Sequence, residues 1–182
     1  RGERSSEYKE WLNRYEDKLK GSREDFVVHH KDKYGGNLPV WAAVEVLDWG
    51  MLTHLYSMSP RVAQVEVADA VNLTSPQLES WLKTLNIVRN IAAHHGRMYN
   101  RVYGKTPRLP RRKTHPEVLF CVDAMNRIFG QATLIQYLLR VLKVGNLKIL
   151  PSVFRTFPEN EIVPFGSTGA PDGWVQGELW KL

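Results

Sequence analysis

Apolar positions recur at helical spacing over most of the chain, and no strong strand alternation interrupts them. Tyr8, Trp11, Leu12, Tyr15 and Leu19 form one stripe among alternating charges, which predicts a helix over residues 5–33. Gly21 interrupts or kinks it, Phe26 and Val27 resume its apolar side, and Gly35-Gly36 stops it. Pro39 opens a second helix over about 39–57 that is apolar on most sides, the mark of a central bundle element. Trp41, Trp49 and Trp81 read as core anchors. Ser59-Pro60 begins a short helix to about Val71, and Ser75-Pro76 caps and opens a long one over about 76–103. Gly104, Pro107, Pro110 and Pro116 make 104–116 a loop. Val118, Val122, Met125, Phe129 and Ala132 lie on one stripe of a helix over about 116–144, which Gly145 ends. Beyond it, prolines and glycines alternate with Phe154, Phe157, Phe165, Trp174 and Trp180, too many aromatics for a disordered linker. The expected architecture is an all-α bundle, residues 1–145, with an irregular Pro/Gly/aromatic tail, residues 146–182, packed on it.

Composition narrows the class. A chain of 182 residues with 43% hydrophobic content can bury a core without disulfides. Cys121 is the single cysteine, so a reducing, cytoplasmic setting is expected. No apolar run approaches a membrane span and no signal pattern opens the chain. It begins at Arg1 without a methionine, which reads as a piece of a longer protein.

The net charge of +6 is unevenly placed. Residues 80–116 hold nine Lys and Arg and no Asp or Glu. Such a block repels itself and calls for a polyanion. The bland reading is a solvated basic loop.

On the predicted 76–103 helix, at about 100° per residue, Leu78, Trp81, Leu82, Leu85, Val88 and Ala92 define the buried face. Arg89 falls within that face, so it is expected half-buried beside an anionic or acceptor partner, with Glu45 a candidate. Asn90, His94, Arg97 and Arg101 form a polar stripe, and His95 lies on the other flank. Gly96 would let another helix approach. Histidine suits proton transfer near neutral pH, and arginine suits a phosphate whose charge grows. These are the parts for cleaving RNA without a metal. By spacing alone, a buried structural ion pair explains Arg89 equally well.

The run Arg89-Asn90-Ile91-Ala92-Ala93-His94-His95-Gly96-Arg97-Met98-Tyr99-Asn100-Arg101 resembles the signature of the bacterial Abi-like (abortive infection) proteins. Phe26, His29, Leu38-Pro39-Val40-Trp41 and Glu45 upstream, and Gly169 through Trp180 downstream, are similar to the same family. The sequence departs from it at Asp48-Trp49, Met51 and Thr53. The resemblance implies membership of the HEPN superfamily of helical bundles, whose hallmark pairs an Arg with a His across a gap of four to six residues, which His94 fits with four and His95 with five. It further implies a metal-independent endoribonuclease of a phage-defence or toxin system, in which two copies dimerise to build one cleft. Members are usually longer at the N-terminus.

The expected catalytic set is therefore Arg89 for the phosphate, Asn90 as its hydrogen-bonding helper, His94 for proton transfer and His95 in reserve for either role, with Glu45 in support. Arg97, Arg101, Lys105, Arg108, Arg111, Arg112 and Lys113 are expected to hold the RNA backbone. Tyr99 and Tyr103 are candidates for base stacking. His29-His30 and His54 match no ligand spacing, so no metal or cofactor is expected. The expected partners are RNA, a second copy and an RNA or protein antitoxin, with no membrane. The other class is a non-catalytic RNA-binding or partner-binding module.

Overall fold

The computed structural model describes residues 6–111, 113–158 and 160–182. Among them the protein is all-α, with no strand. It divides into two units, Arg1–Pro60 and Arg61–Leu182.

In the first unit, α1 (Ser6–Gly21) stops at Gly21 and α2 (Asp25–Tyr34) begins afresh. Of the two expected outcomes at Gly21, interruption or kink, the helix is interrupted. Trp11 and Tyr15, one turn apart, stack at 5.6 Å, and the Trp11 indole donates to the Met51 carbonyl at 3.0 Å. That bond ties α1 to α4 (Trp49–Met58). The helix expected over 39–57 is not continuous. It forms α3 (Val40–Ala43), a 3₁₀ turn (Val44–Val46) and α4. Asp48 is the reason. It adopts extended backbone and its carboxylate accepts from the Met51 N–H at 2.8 Å, capping α4 instead of continuing the previous helix. Trp41, expected in the core, is 73% exposed.

In the second unit, α5 (Arg61–Asp69) leads to α6 (Ser75–Ala93), the longest helix described. Thr74, one residue before the expected cap, forms a capping box with Gln77. Leu78, Trp81, Leu85 and Val88 bury one side of α6 as the periodicity predicts. The helix expected over 116–144 forms α7 (Pro116–Leu119), a 3₁₀ turn (Val122–Ala124) and α8 (Ile128–Leu142). Gly130 marks the join. A Cβ there would lie 2.3 Å from the Ala124 carbonyl oxygen, so the turn can pack on α8 only against a glycine.

The tail is part of this unit's core. It folds into α9 (Ile149–Arg155) and two 3₁₀ turns, Phe165–Thr168 and Trp174–Gln176. Trp180, fully buried, stacks on Phe129 of α8 at 4.4 Å, and Phe154 meets both rings edge-on at 5.1 Å.

Candidate active site

The candidate residues sit where α6 ends, and the end comes earlier than expected. The helix stops at Ala93 instead of near residue 103. His94 is its C-cap and His95 adopts left-handed backbone with φ of 52°. The Gly96 N–H donates to Ile91 O at 2.8 Å and the His95 N–H to Ala92 O at 3.1 Å. This pair of bonds is a Schellman motif, with His95 in the position glycine normally takes. The residues after Ala93 therefore do not follow helical angles. Arg97 and Arg101 lie in irregular chain beyond the helix, where Arg101 Nε donates to Arg97 O at 2.9 Å.

Gly96 has a different role from the one expected. A Cβ on it would meet Ile91 side-chain and carbonyl atoms at 3.0 and 3.1 Å. Its bareness lets the chain close over its own helix end, which accounts for the glycine without a partner helix.

Arg89 is likewise corrected. It is exposed, not half-buried, and its Nη1 donates to the Asn90 side-chain oxygen at 3.2 Å. The buried stripe narrows at the last turns, where Ala92 and Ala93 are also exposed. Arg89, Asn90, His94 and His95 thus share one solvent-facing helix end. His94 follows Arg89 by five residues, roughly 7.5 Å along the axis. Helix C-termini carry partial negative charge, which by itself repels phosphate. An anion bound here would therefore need the guanidinium groups of Arg89, Arg97 and Arg101. Glu45 lies exposed in the 3₁₀ turn of the first unit, and Arg89 belongs to the second.

The strand of chain following the motif is anchored from beneath. Met98 and Tyr99 line an apolar cavity with Val88, Ile135, Val153 and Phe157. Tyr99 stacks on Phe157 at 5.4 Å and donates to Pro164 O at 2.8 Å. Tyr103 is 3% exposed, and burial raises its hydroxyl pKa. Tyr103 is therefore too buried to stack on a base, and Tyr99, half-buried, has one face taken by Phe157.

The basic loop braces the other half of α6. Trp81 donates to Arg108 O at 2.9 Å, Gln77 to Leu109 O at 3.3 Å, and the Arg108 N–H donates to Ser80 Oγ at 2.9 Å. Pro107 and Pro110 are buried while Lys105, Arg108, Arg111 and Lys113 stay exposed. Arg112 lies outside the described residues. Sequence reasoning missed these braces, and it missed His115, which is buried with Nε2 2.9 Å from Asn72 O and Nδ1 2.8 Å from Thr114 Oγ1. Their signal is long-range: an indole and an imidazole reach backbone carbonyls 27 and 43 residues away.

Cys121 is buried, and burial pushes its thiol up to about 11, so it does not serve as a nucleophile near neutral pH. His29, His30 and His54 form no metal-holding group, and among the described residues no three His, Cys, Asp or Glu are placed to hold a metal ion. No helix described is long and apolar enough to cross a membrane.

No curated protein and no solved structure matches the chain. A family described as Abi-like protein matches residues 1–100, a span that takes in α1 through α6 and the motif from Arg89 to Asn100. That match covers more than half of the sequence and ends beyond both histidines, so the chain belongs to the Abi-like family, whose name points to abortive infection, a form of phage defence.

Proposed function

We propose that this protein is a HEPN-type, metal-independent endoribonuclease acting in abortive infection. One observation carries the reading. Arg89, Asn90, His94 and His95 are all exposed at one helix end, so the motif is not consumed in packing the unit that bears it. An interior ion pair, the competing explanation of Arg89, would have buried it.

The chemistry follows from the groups present. The RNA 2′-oxygen attacks the adjacent phosphorus as its proton passes to a base, and the P–O5′ bond breaks as the departing 5′-oxygen gains a proton. His94 is the proton-transfer group and His95 the reserve for either transfer. Arg89 holds the phosphate as charge grows on it, with its guanidinium drawn toward Asn90. Arg97, Arg101, Lys105, Arg108, Arg111, Arg112 and Lys113 hold the backbone. One helix end supplies one copy of these groups, and a homodimer would face two copies across a cleft. An RNA or protein antitoxin would restrain the activity, in the bacterial cytoplasm.

The test is the chemistry of the product ends. Total RNA incubated with the protein should yield fragments ending in 2′,3′-cyclic phosphate, and Arg89→Ala and His94→Ala should each abolish them. Fragments ending in 3′-hydroxyl would overturn the mechanism. RNA binding without cleavage would favour the non-catalytic module.

A further inference from the structure

A groove of about 400 Å³ lies between the first half of α6 and the basic loop. Ser80, Lys83 and Thr84 line it from the helix, and Lys105, Thr106 and Arg108 from the loop. Three cations therefore converge on one concavity, opposed by a single carboxylate, Glu79, which pairs with Lys83 at 2.6 Å. The walls are fixed relative to each other by the Arg108 N–H to Ser80 bond and by Trp81 beneath, bonded to Arg108 O. The loop is thus held in place before any ligand arrives, and a preorganised site loses less on binding.

The helix face that bears Lys83 runs on along α6 toward the motif. Lys83 and Asn90 are seven residues apart, about 20° on the helix and roughly 10 Å along it. Asn90 is the residue that draws the Arg89 guanidinium to its side. From Ser80 to Arg89 the axial distance is about 13 Å. A stacked strand rising roughly 3.4 Å per phosphate covers that in about four nucleotides, and an extended one in fewer.

We propose that this groove is a phosphate subsite for the RNA strand a few nucleotides from the bond that is cut, with Lys83, Lys105 and Arg108 as its cations. The proposal rests on the ribonuclease reading for its substrate. Glu79 sets the occupancy: a phosphate must take Lys83 from it, so removing that carboxylate favours the anion.

The test uses the intact protein and a 2′-O-methyl RNA 12-mer, which lacks the attacking hydroxyl and cannot be cut. Binding is titrated at several salt concentrations. Lys83→Gln should weaken binding and lower the slope of log affinity against log salt by about 0.7, the loss of one single-strand contact. Glu79→Gln should strengthen binding. A merely structural pair would shift both variants in the same direction. Affinities that ignore both substitutions, with melting temperatures unchanged, would overturn the proposal. So would a nucleoside monophosphate binding as tightly as the 12-mer with the same response to the variants, since the groove would then hold a free nucleotide. Because the oligonucleotide is not cleaved, the outcomes separate. Natural RNA left intact beside this pattern of binding refutes only the ribonuclease reading. Cleavage beside unresponsive binding refutes only the subsite.

Discussion

His95 stands where the chain turns left-handed, with φ of 52°, and a glycine would adopt that backbone without strain. The left-handed region costs a residue with a Cβ roughly 1 kcal/mol or more. Glycine also gains freedom in the unfolded chain, which returns part of that difference. His95→Gly should therefore stabilise the second unit by about 0.5–1 kcal/mol, a rise of roughly 1–4 °C in melting temperature for a chain of this size. The Schellman bonds use backbone groups only, so the substitution leaves them intact. The same variant removes an imidazole from the candidate site. If His95 transfers a proton during cleavage, the rate should fall by about 10²–10⁴-fold while stability rises. If His94 alone acts, the rate should hold while stability still rises. His95→Ala serves as the control, since it removes the ring but keeps the backbone strain. Thermal unfolding followed by circular dichroism reads the stability half, and cleavage of a fluorescent oligonucleotide reads the other. A lower melting temperature for His95→Gly would refute the assignment of backbone strain to this position.

Arg89 is exposed, so Arg89→Ala should change stability by no more than about 0.5 kcal/mol while cutting the cleavage rate by roughly 10²–10³-fold; unfolding of this variant would contradict its placement. Trp180→Ala empties a fully buried site stacked on Phe129 and should cost about 3–5 kcal/mol in urea unfolding of the second unit; a loss below 1 kcal/mol would mean the tail is not core. Burial raises the pKa of Asp48, but the Met51 N–H, Lys18 and Arg14 outweigh it and hold the carboxyl below its ordinary value of 3.8. Its contribution is therefore present above pH 4 and is lost as pH falls through the depressed value. Asp48→Ala should cost about 1 kcal/mol at neutral pH through the lost cap, with the deficit shrinking in acid, and a deficit constant from pH 7 to pH 2 would argue against the charge.

Much of the fold was legible because burial follows periodicity. The α6 stripe of Leu78, Trp81, Leu85 and Val88 is buried as its spacing predicts. Helix ends were less so, for a local reason in each case. Asp48 caps a new helix inside an unbroken apolar run, and no hydrophobic pattern reports that choice. His95 terminates α6 in a conformation that sequences usually signal with glycine, so the pattern ran ten residues too far in appearance. Extending the helix misassigned the directions of His95, Arg97 and Arg101. The candidate residues were named through the likeness of the run Arg89 to Arg101 to the Abi-like signature, since spacing alone fits a structural arginine equally well. Their exposure was not readable, since the narrowing of a buried face depends on what packs against it.

Whether the end of α6 cleaves RNA with its own side chains is open to a direct measurement. The direct measurement is the single-turnover cleavage rate of a defined RNA in excess EDTA, for the wild type and for His94→Ala at matched folding. The account predicts cleavage by the wild type at the rate seen without chelator, and a loss of about 10²-fold or more in His94→Ala. Wild-type cleavage that stops in EDTA, or a His94→Ala rate equal to wild type with His95 also replaced, would contradict it.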